Sequence, residues 1–254
     1  MLKPIKVTLQ AGPYRLAAIF YLPKDASGQK PVPGVIVCHG LGSKKENHLA
    51  YTEYLAEQGF AGLAFDWRGH GQSAGNLDDH TLDDVTAAIA YLSRRPEVDR
   101  HRLAIRGTSM GAYFALHAAA LDARLKAVVA IAPATEDIVL MGVTPPKAGK
   151  DAIDYSQGAR VQRKPLIAWM EKQDIHKAVP RIAPRPIFFI HCKGDEVIPY
   201  QSTEELYALA GEPKKLLLLE GGHHRFAQQD GTVHRLTVEW LREILAGGAT
   251  SSST

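Results

Sequence analysis

The stretch RLAIRGTSMGAYFALHAAAL, residues 102–121, holds a short apolar run, a glycine-flanked serine and an alanine-rich run, in that order. The first part reads as a buried strand and the last as a helix. Gly107-Thr108-Ser109-Met110-Gly111 forms the bend between them. A side chain projecting from so tight a bend crowds its neighbours unless they are glycine. The backbone of Ser109 is therefore expected to be strained. Its hydroxyl should sit at a helix N-terminus, where the dipole favours a developing anion. The five-residue pattern alone arises by chance; the strand before it and the helix after it give it meaning.

The same strand-then-helix rhythm extends both ways. Upstream, residues 3–9 and 14–22 read as strands joined through Ala11-Gly12-Pro13 as a hairpin. The continuous apolar run 34–38 reads as a strand buried on both faces. A helix follows, with Ser43 and Glu46 at capping-box spacing, Gly59 as its stop, and Ala50, Tyr51, Tyr54 and Leu55 on its inner face. Residues 60–65 are the next strand and 81–92 the next helix, with Val85, Ile89 and Leu92 inward. Downstream come strands at 125–132, 186–192 and 214–219, and helices at 203–210 and 232–245. Such alternation requires right-handed crossovers and a mostly parallel sheet covered on both faces. The small polar residues 247–254 read as a flexible tail.

Composition sets the outer bounds. The chain has 254 residues, 45% hydrophobic and 22% charged, which suits one globular α/β core. Net charge is +3, and the basic pairs Lys44-Lys45, Arg94-Arg95 and Lys214-Lys215 are scattered, as on solvated faces. A nucleic-acid partner is not expected, because such proteins gather basic charge on one surface. No apolar stretch reaches the ~20 residues that span a bilayer, so no membrane partner is expected. The first ten residues lack the apolar core of a signal peptide, which predicts a cytoplasmic protein. Two cysteines are too few for a disulfide scaffold.

One segment interrupts the rhythm. Residues 134–184 separate two core strands and carry five of the prolines: Pro145, Pro146, Pro165, Pro180 and Pro184. A structureless loop of that length would be unusual in a compact domain. Two apolar clusters lie within it, Val139-Leu140-Met141 with Val143, and Leu166-Ile167 with Trp169-Met170. One reading is a pair of helices patching the core edge. The other, preferred because of where the chemistry sits, is a cap over a substrate pocket. The domain expectation is thus a core of 1–133 and 185–246, with a cap at 134–184.

A serine hydroxyl needs a neighbouring base to act as a nucleophile at neutral pH. The best-placed imidazoles are His223 and His224, just beyond the strand 214–219 and the turn Glu220-Gly221-Gly222. A carboxylate to orient the base should come from the end of the preceding strand, where His191-Cys192-Lys193-Gly194-Asp195-Glu196 offers Asp195 in a turn and leaves Glu196 to solvent. Serine, then acid, then histidine is the chain order of α/β-hydrolase triads, unlike the orders of chymotrypsin-like and subtilisin-like proteases.

On these residues the chain resembles the α/β-hydrolase family from about residue 14 to 246. The matching segments include His39-Gly40-Leu41-Gly42, Asp66-Trp67-Arg68-Gly69-His70-Gly71-Gln72-Ser73, the Ser109 bend, the Asp195 turn and the His224 turn. Within the family it looks most like small bacterial carboxylesterases related to feruloyl and cinnamoyl esterases and to dienelactone hydrolases. The last carry a cysteine nucleophile, whereas this chain has Ser109. The resemblance implies an eight-stranded, mostly parallel sheet with the cap inserted between strands 6 and 7. It implies an oxyanion hole from the backbone amides of Leu41 and Met110, a loop-shaping role for His39, and His224 rather than His223 as the base. It also implies a strand order in which two strands, about 14 Å, separate Cys38 from Cys192, so that both thiols are free.

The activity so implied is hydrolysis of a small-molecule carboxylic ester through an acyl-enzyme, without cofactor or metal, falling at acid pH as His224 takes a proton. The cap residues Met141, Trp169 and Met170 are the expected pocket lining, suited to short or aromatic acyl groups. Basic residues of the same segment, Lys147, Lys150, Arg160, Arg163 and Lys164, read as a solvated surface. The Asp66–Ser73 stretch reads as a turn rather than a phosphate cradle. Peptide or thioester hydrolysis on the same machinery, or a non-catalytic binder, are the competing readings; no feature of the chain specifies an oligomeric state.

Overall fold

The computed structural model describes residues 2–144 and 158–246. Eight strands form one sheet: β1 (Ile5–Ala11), β2 (Tyr14–Tyr21), β3 (Val32–Cys38), β4 (Ala61–Phe65), β5 (Val98–Thr108), β6 (Leu125–Ile131), β7 (Ile187–Cys192) and β8 (Lys214–Leu219). Their spatial order is β1-β2-β4-β3-β5-β6-β7-β8. β2 runs antiparallel to both β1 and β4, and all other pairings are parallel. The hairpin between β1 and β2 turns at Gly12, whose φ of 58° lies in the left-handed region.

Alternation along the central strands divides the interior into two layers. Ile36, Cys38, Leu103 and Ile105 face the layer containing α2 (Leu82–Arg94) and α3 (Met110–Leu121). Val35, Val37 and Ala104 face the layer of α1 (Leu49–Glu57) and the C-terminal helix (Gly231–Ala246). The central strands are buried on both faces, which is why they read as continuous apolar runs. Cys38 and Cys192 end β3 and β7, with β5 and β6 between them; both are buried and free.

Two local expectations fail. Ser43 and Glu46 make no capping box: a 3-10 turn over Lys45–His48 precedes α1 without a side-chain cap, and Ser43 instead accepts a hydrogen bond from Asn47 at 3.0 Å. The competing interaction is Lys45, drawn inside to pair with Asp66 at 2.7 Å. The inner face of α1 is Tyr51, Thr52, Leu55 and Ala56, with Ala50 exposed. The helix lies close over β4, where a Cβ at Gly62 would come within 2.7 Å of the Thr52 carbonyl oxygen.

Between β6 and β7 lie α4 (Glu136–Val143), α5 (Arg163–Met170) and α6 (Ile175–Ala178), then a 3-10 turn over Val179–Ile182. Val139, Val143, Leu166 and Met170 join the core layer of α3. Glu136 accepts the Ile175 amide at 2.8 Å and faces His117 of α3 at 3.4 Å, tying both ends of the segment to one helix. Residues 145–157 and 247–254, including Lys147, Lys150 and the expected tail, lie outside the described residues. Among the described residues the remaining helices are α7 (Tyr200–Leu209), α8 (Phe226–Gln229) and α9 (Gly231–Ala246). Among the described residues no helix is long and apolar enough to cross a membrane.

The start of α3 presses against the end of β3. A Cβ at Gly111 would lie 2.5 Å from the carbonyl oxygens of Cys38 and His39. Backbone cannot swing aside as a side chain can, so Gly111→Ala is expected to destabilise the protein by about 1–3 kcal/mol. Urea unfolding should show a lower midpoint at an unchanged slope; a wild-type midpoint would contradict this packing.

Candidate active site

Ser109 follows β5 with φ 56° and ψ −124°, a conformation few non-glycine residues adopt. Its amide donates to Ile131 O at 2.9 Å, and its carbonyl accepts from the amides of Ala112 and Tyr113 at 2.9 and 3.0 Å. Gly107 completes the bend: a Cβ there would strike the Gly111 carbonyl. The strain expected from the sequence is present, held by β6 on one side and α3 on the other.

Asp195 lies in the turn after β7. Its Oδ1 accepts the amides of Val197 and Ile198, both at 2.8 Å. Its Oδ2 takes His224 Nδ1 at 2.7 Å and His191 Nε2 at 3.1 Å. Burial would raise this carboxyl, but the hydrogen bonds from His191, His224 and the Ile198 amide outweigh it and hold it well below the usual carboxylate range. His223 is exposed and accepts the Arg225 amide at 3.2 Å, so of the adjacent imidazoles it is His224 that pairs with the carboxylate. Glu196 is exposed, yet it also accepts the His224 amide at 3.1 Å and faces the cavity described below.

His191 was not singled out by sequence. It is fully buried on β7, with Nδ1 2.6 Å from Thr203 Oγ1 and Nε2 also 3.1 Å from Ile198 O. Because Nε2 faces two acceptors, it carries the hydrogen, and in the neutral ring Nδ1 accepts from the Thr203 hydroxyl. The available signal was a polar residue inside an apolar strand, four positions before Asp195.

The loop after β3 approaches from the other side. A Cβ at Gly40 would stand 3.2 Å from that of Ser109. His39 bonds Gly40 O through Nδ1 at 2.7 Å, and its own carbonyl accepts Trp67 Nε1 at 2.8 Å. Burial pushes its pKa down to about 4. His70 accepts the Gly42 amide at 3.3 Å, and burial with neighbouring His39 brings it down to about 3. Both rings therefore stay neutral near pH 7, fixing the loop rather than exchanging protons. The anion wrapped by the Asp66–Ser73 turn is the protein's own: Asp66 accepts Lys45 N and Nζ at 2.7 Å and Gln72 N at 2.9 Å.

A cavity of about 500 Å³ opens where these loops meet. Ser109, His224, Leu41, Met110 and Met141 line it, with the Asp195 carboxylate behind His224. Trp169 and Met170, expected in the lining, are not there. Met170 is fully buried in the core, and Trp169 stacks on Phe114 of α3 at 5.9 Å between ring centroids. The wall over the serine belongs to α4, which follows β6 directly and contributes Ile138, Val139 and Gly142 beside Met141. Arg163 bonds the Val143 carbonyl at 2.6 Å and Arg160 the Ser73 carbonyl at 2.6 Å, so these two basic residues tie main chain together.

Comparison with known proteins adds kinship. Residues 29–152 match the family described as serine aminopeptidase, S33. The chain is 28% identical over 226 residues to the uncharacterized protein YfhR of Escherichia coli (strain K12), a match covering 87% of this chain and 74% of that protein. It is 25% identical over 252 residues to the putative esterase YitV of Bacillus subtilis (strain 168), covering 89% and 94%. Among solved structures, Est1E from Butyrivibrio proteoclasticus with ferulic acid bound is similar at a TM-score of 0.77 and 22% identity, over 95% of this chain and 98% of that one. This last likeness concerns the fold.

A carboxyl depressed in the native state favours folding above its unfolded pKa of ~3.9, and that contribution is lost as pH falls through the native value. The stability of the wild type over Asp195→Asn is therefore expected to be constant above about pH 5 and to shrink as the pH is lowered past about 4. Urea midpoints of both proteins at stepped pH measure it; a gap that persists undiminished at about pH 2 or widens on acidification would contradict the assignment.

Proposed function

Because the chain has the α/β-hydrolase fold, we propose that it cleaves carboxylic esters by nucleophilic catalysis, with Ser109 as nucleophile, His224 as base and Asp195 as its orienting acid. The observation that most supports this reading is the 2.7 Å contact of His224 Nδ1 with Asp195 Oδ2, made by an imidazole that shares a cavity wall with Ser109. Donation from Nδ1 to the carboxylate leaves Nε2 with its lone pair, the tautomer a base requires.

The steps follow from these positions. His224 takes the Ser109 proton as the oxygen attacks the ester carbonyl, then gives it to the leaving alcohol. Asp195 stabilises the imidazolium between the two transfers. The amides of Leu41 and Met110 receive the oxyanion; among the described residues neither donates to another protein group. By analogy with single-donor deletions, each such donor contributes about 3–4 kcal/mol to the transition state. Water repeats the sequence on the acyl-enzyme. The apolar wall of Ile138, Val139 and Met141 suits short or aromatic acyl groups, and we read the 134–184 insertion as the cap that carries it.

A second reading, cleavage of small peptides, is favoured by the description of the matching family and by Glu196, a carboxylate at the cavity that could receive an amino group. Nitrophenyl butyrate and alanine nitroanilide separate the two. The ester should be turned over at least about a thousandfold faster in kcat/KM, and Ser109→Ala or His224→Ala should each remove at least about a thousandfold of the ester activity. His223→Ala should retain most of it. Preferred turnover of the anilide would replace the esterase reading, and a His223 variant as damaged as the His224 variant would sink the assignment of the base.

A further inference from the structure

The two walls of the cavity differ in chemistry. One is the apolar face of α4. The other belongs to the loop of His224 and its continuation into α8, with Arg225 and Gln228. Gln228 stands out within it. Its residue is 8% exposed, and its main-chain oxygen is taken up by side chains of β5 and α9. The oxygen is held twice, by Arg106 Nη2 at 3.2 Å and His234 Nε2 at 2.8 Å. Arg106 is itself immobilised, fully buried with its guanidinium 4.0 Å over the Tyr51 ring. The backbone at 228 is thus fixed.

The side chain is a different matter. Among the described residues neither atom of its carboxamide makes a hydrogen bond, and neither is sealed from solvent. A carboxamide offers two donors and two acceptor sites. Open to the cavity, these sites are met by water until a substrate enters, and a group that displaces the water without replacing its hydrogen bonds loses affinity. Placement decides which part of a substrate that is. The imidazole that protonates the leaving oxygen must stand on the alcohol side of the ester, and Gln228 lines the same cavity from α8, four residues on.

We infer that Gln228 is a specificity-determining residue that hydrogen-bonds a hydroxyl on the leaving alcohol, so that the favoured substrates are esters of hydroxylated alcohols such as diols and polyols. The inference rests on the esterase reading and deepens it. Sites built to bond a hydroxyl discriminate against analogues that lack it, because the protein group is then left unpaired. Arg106 and His234 serve here as positioning residues, acting through the Gln228 backbone.

The test compares 2-hydroxyethyl butyrate with propyl butyrate, esters of equal heavy-atom count, by pH-stat titration. After correction for their alkaline hydrolysis rates, the wild type should favour the hydroxyethyl ester by about tenfold or more in kcat/KM. Gln228→Met and Gln228→Leu, assayed in parallel so that one misfolded variant does not void the result, should bring that ratio close to one. A loss of fold lowers both esters alike, so only the ratio reads the contact. A wild-type ratio near one, or a ratio unchanged in the variants, would mean that water occupies the carboxamide and would overturn the inference while leaving the esterase reading intact. No turnover of either ester by the wild type would remove the esterase reading and this inference with it.

Discussion

The whole site depends on one strained residue. Ser109 holds a φ of 56° because β6 binds its amide, α3 binds its carbonyl, and glycines at 107 and 111 leave room for the bend. Were the turn to relax, α3 would have to retreat from the end of β3, against which Gly111 is packed without a side chain. The strain is small beside the packing that enforces it, and it delivers a hydroxyl at the mouth of a parallel sheet, where ligand sites of open α/β folds form.

Around that bend, buried charge organises the loops. Asp66 pairs with Lys45 and pins the turn after β4. Asp84 takes the Arg68 amide at 2.7 Å and its guanidinium at 2.8 Å; burial raises its pKa to about 6 despite that partner. Asp195 differs in being held by two imidazoles and two amides, which favour its charged form. The first two carboxylates hold main chain and cations in place, Asp66 with Lys45 and the Gln72 amide, Asp84 with Arg68. Of the two imidazoles on Asp195, His224 reaches the cavity and His191 is fully buried.

Much of this was legible in the chain. Ser109, Asp195 and His224 each follow a strand, and the strands could be found because burial on both faces leaves apolar runs such as residues 187–190. What escaped were features decided by tertiary contact. His191 showed only as a polar residue inside an apolar strand; its partners Thr203 and Asp195 come to it through α7 and the turn. The two apolar clusters of the 134–184 segment look alike in composition. Which one covers the serine depends on α4 leaving β6 beside it, while Trp169 and Met170 pack down on the core. Ser43 and Glu46 have the spacing of a cap, but the cost of leaving Asp66 buried without a cation outweighs a cap worth about 1 kcal/mol.

The central claim is that Ser109 is activated by His224 and Asp195 acting together. Peptide mapping by mass spectrometry after brief exposure to a fluorophosphonate tests it directly, because such a reagent labels an activated serine covalently. The account predicts one adduct, on Ser109, formed rapidly in the wild type and slowly when either His224 or Asp195 is replaced. Folded protein that takes up no label at Ser109, or labels as fast without His224 as with it, would contradict the account and favour a binding protein built on the same fold.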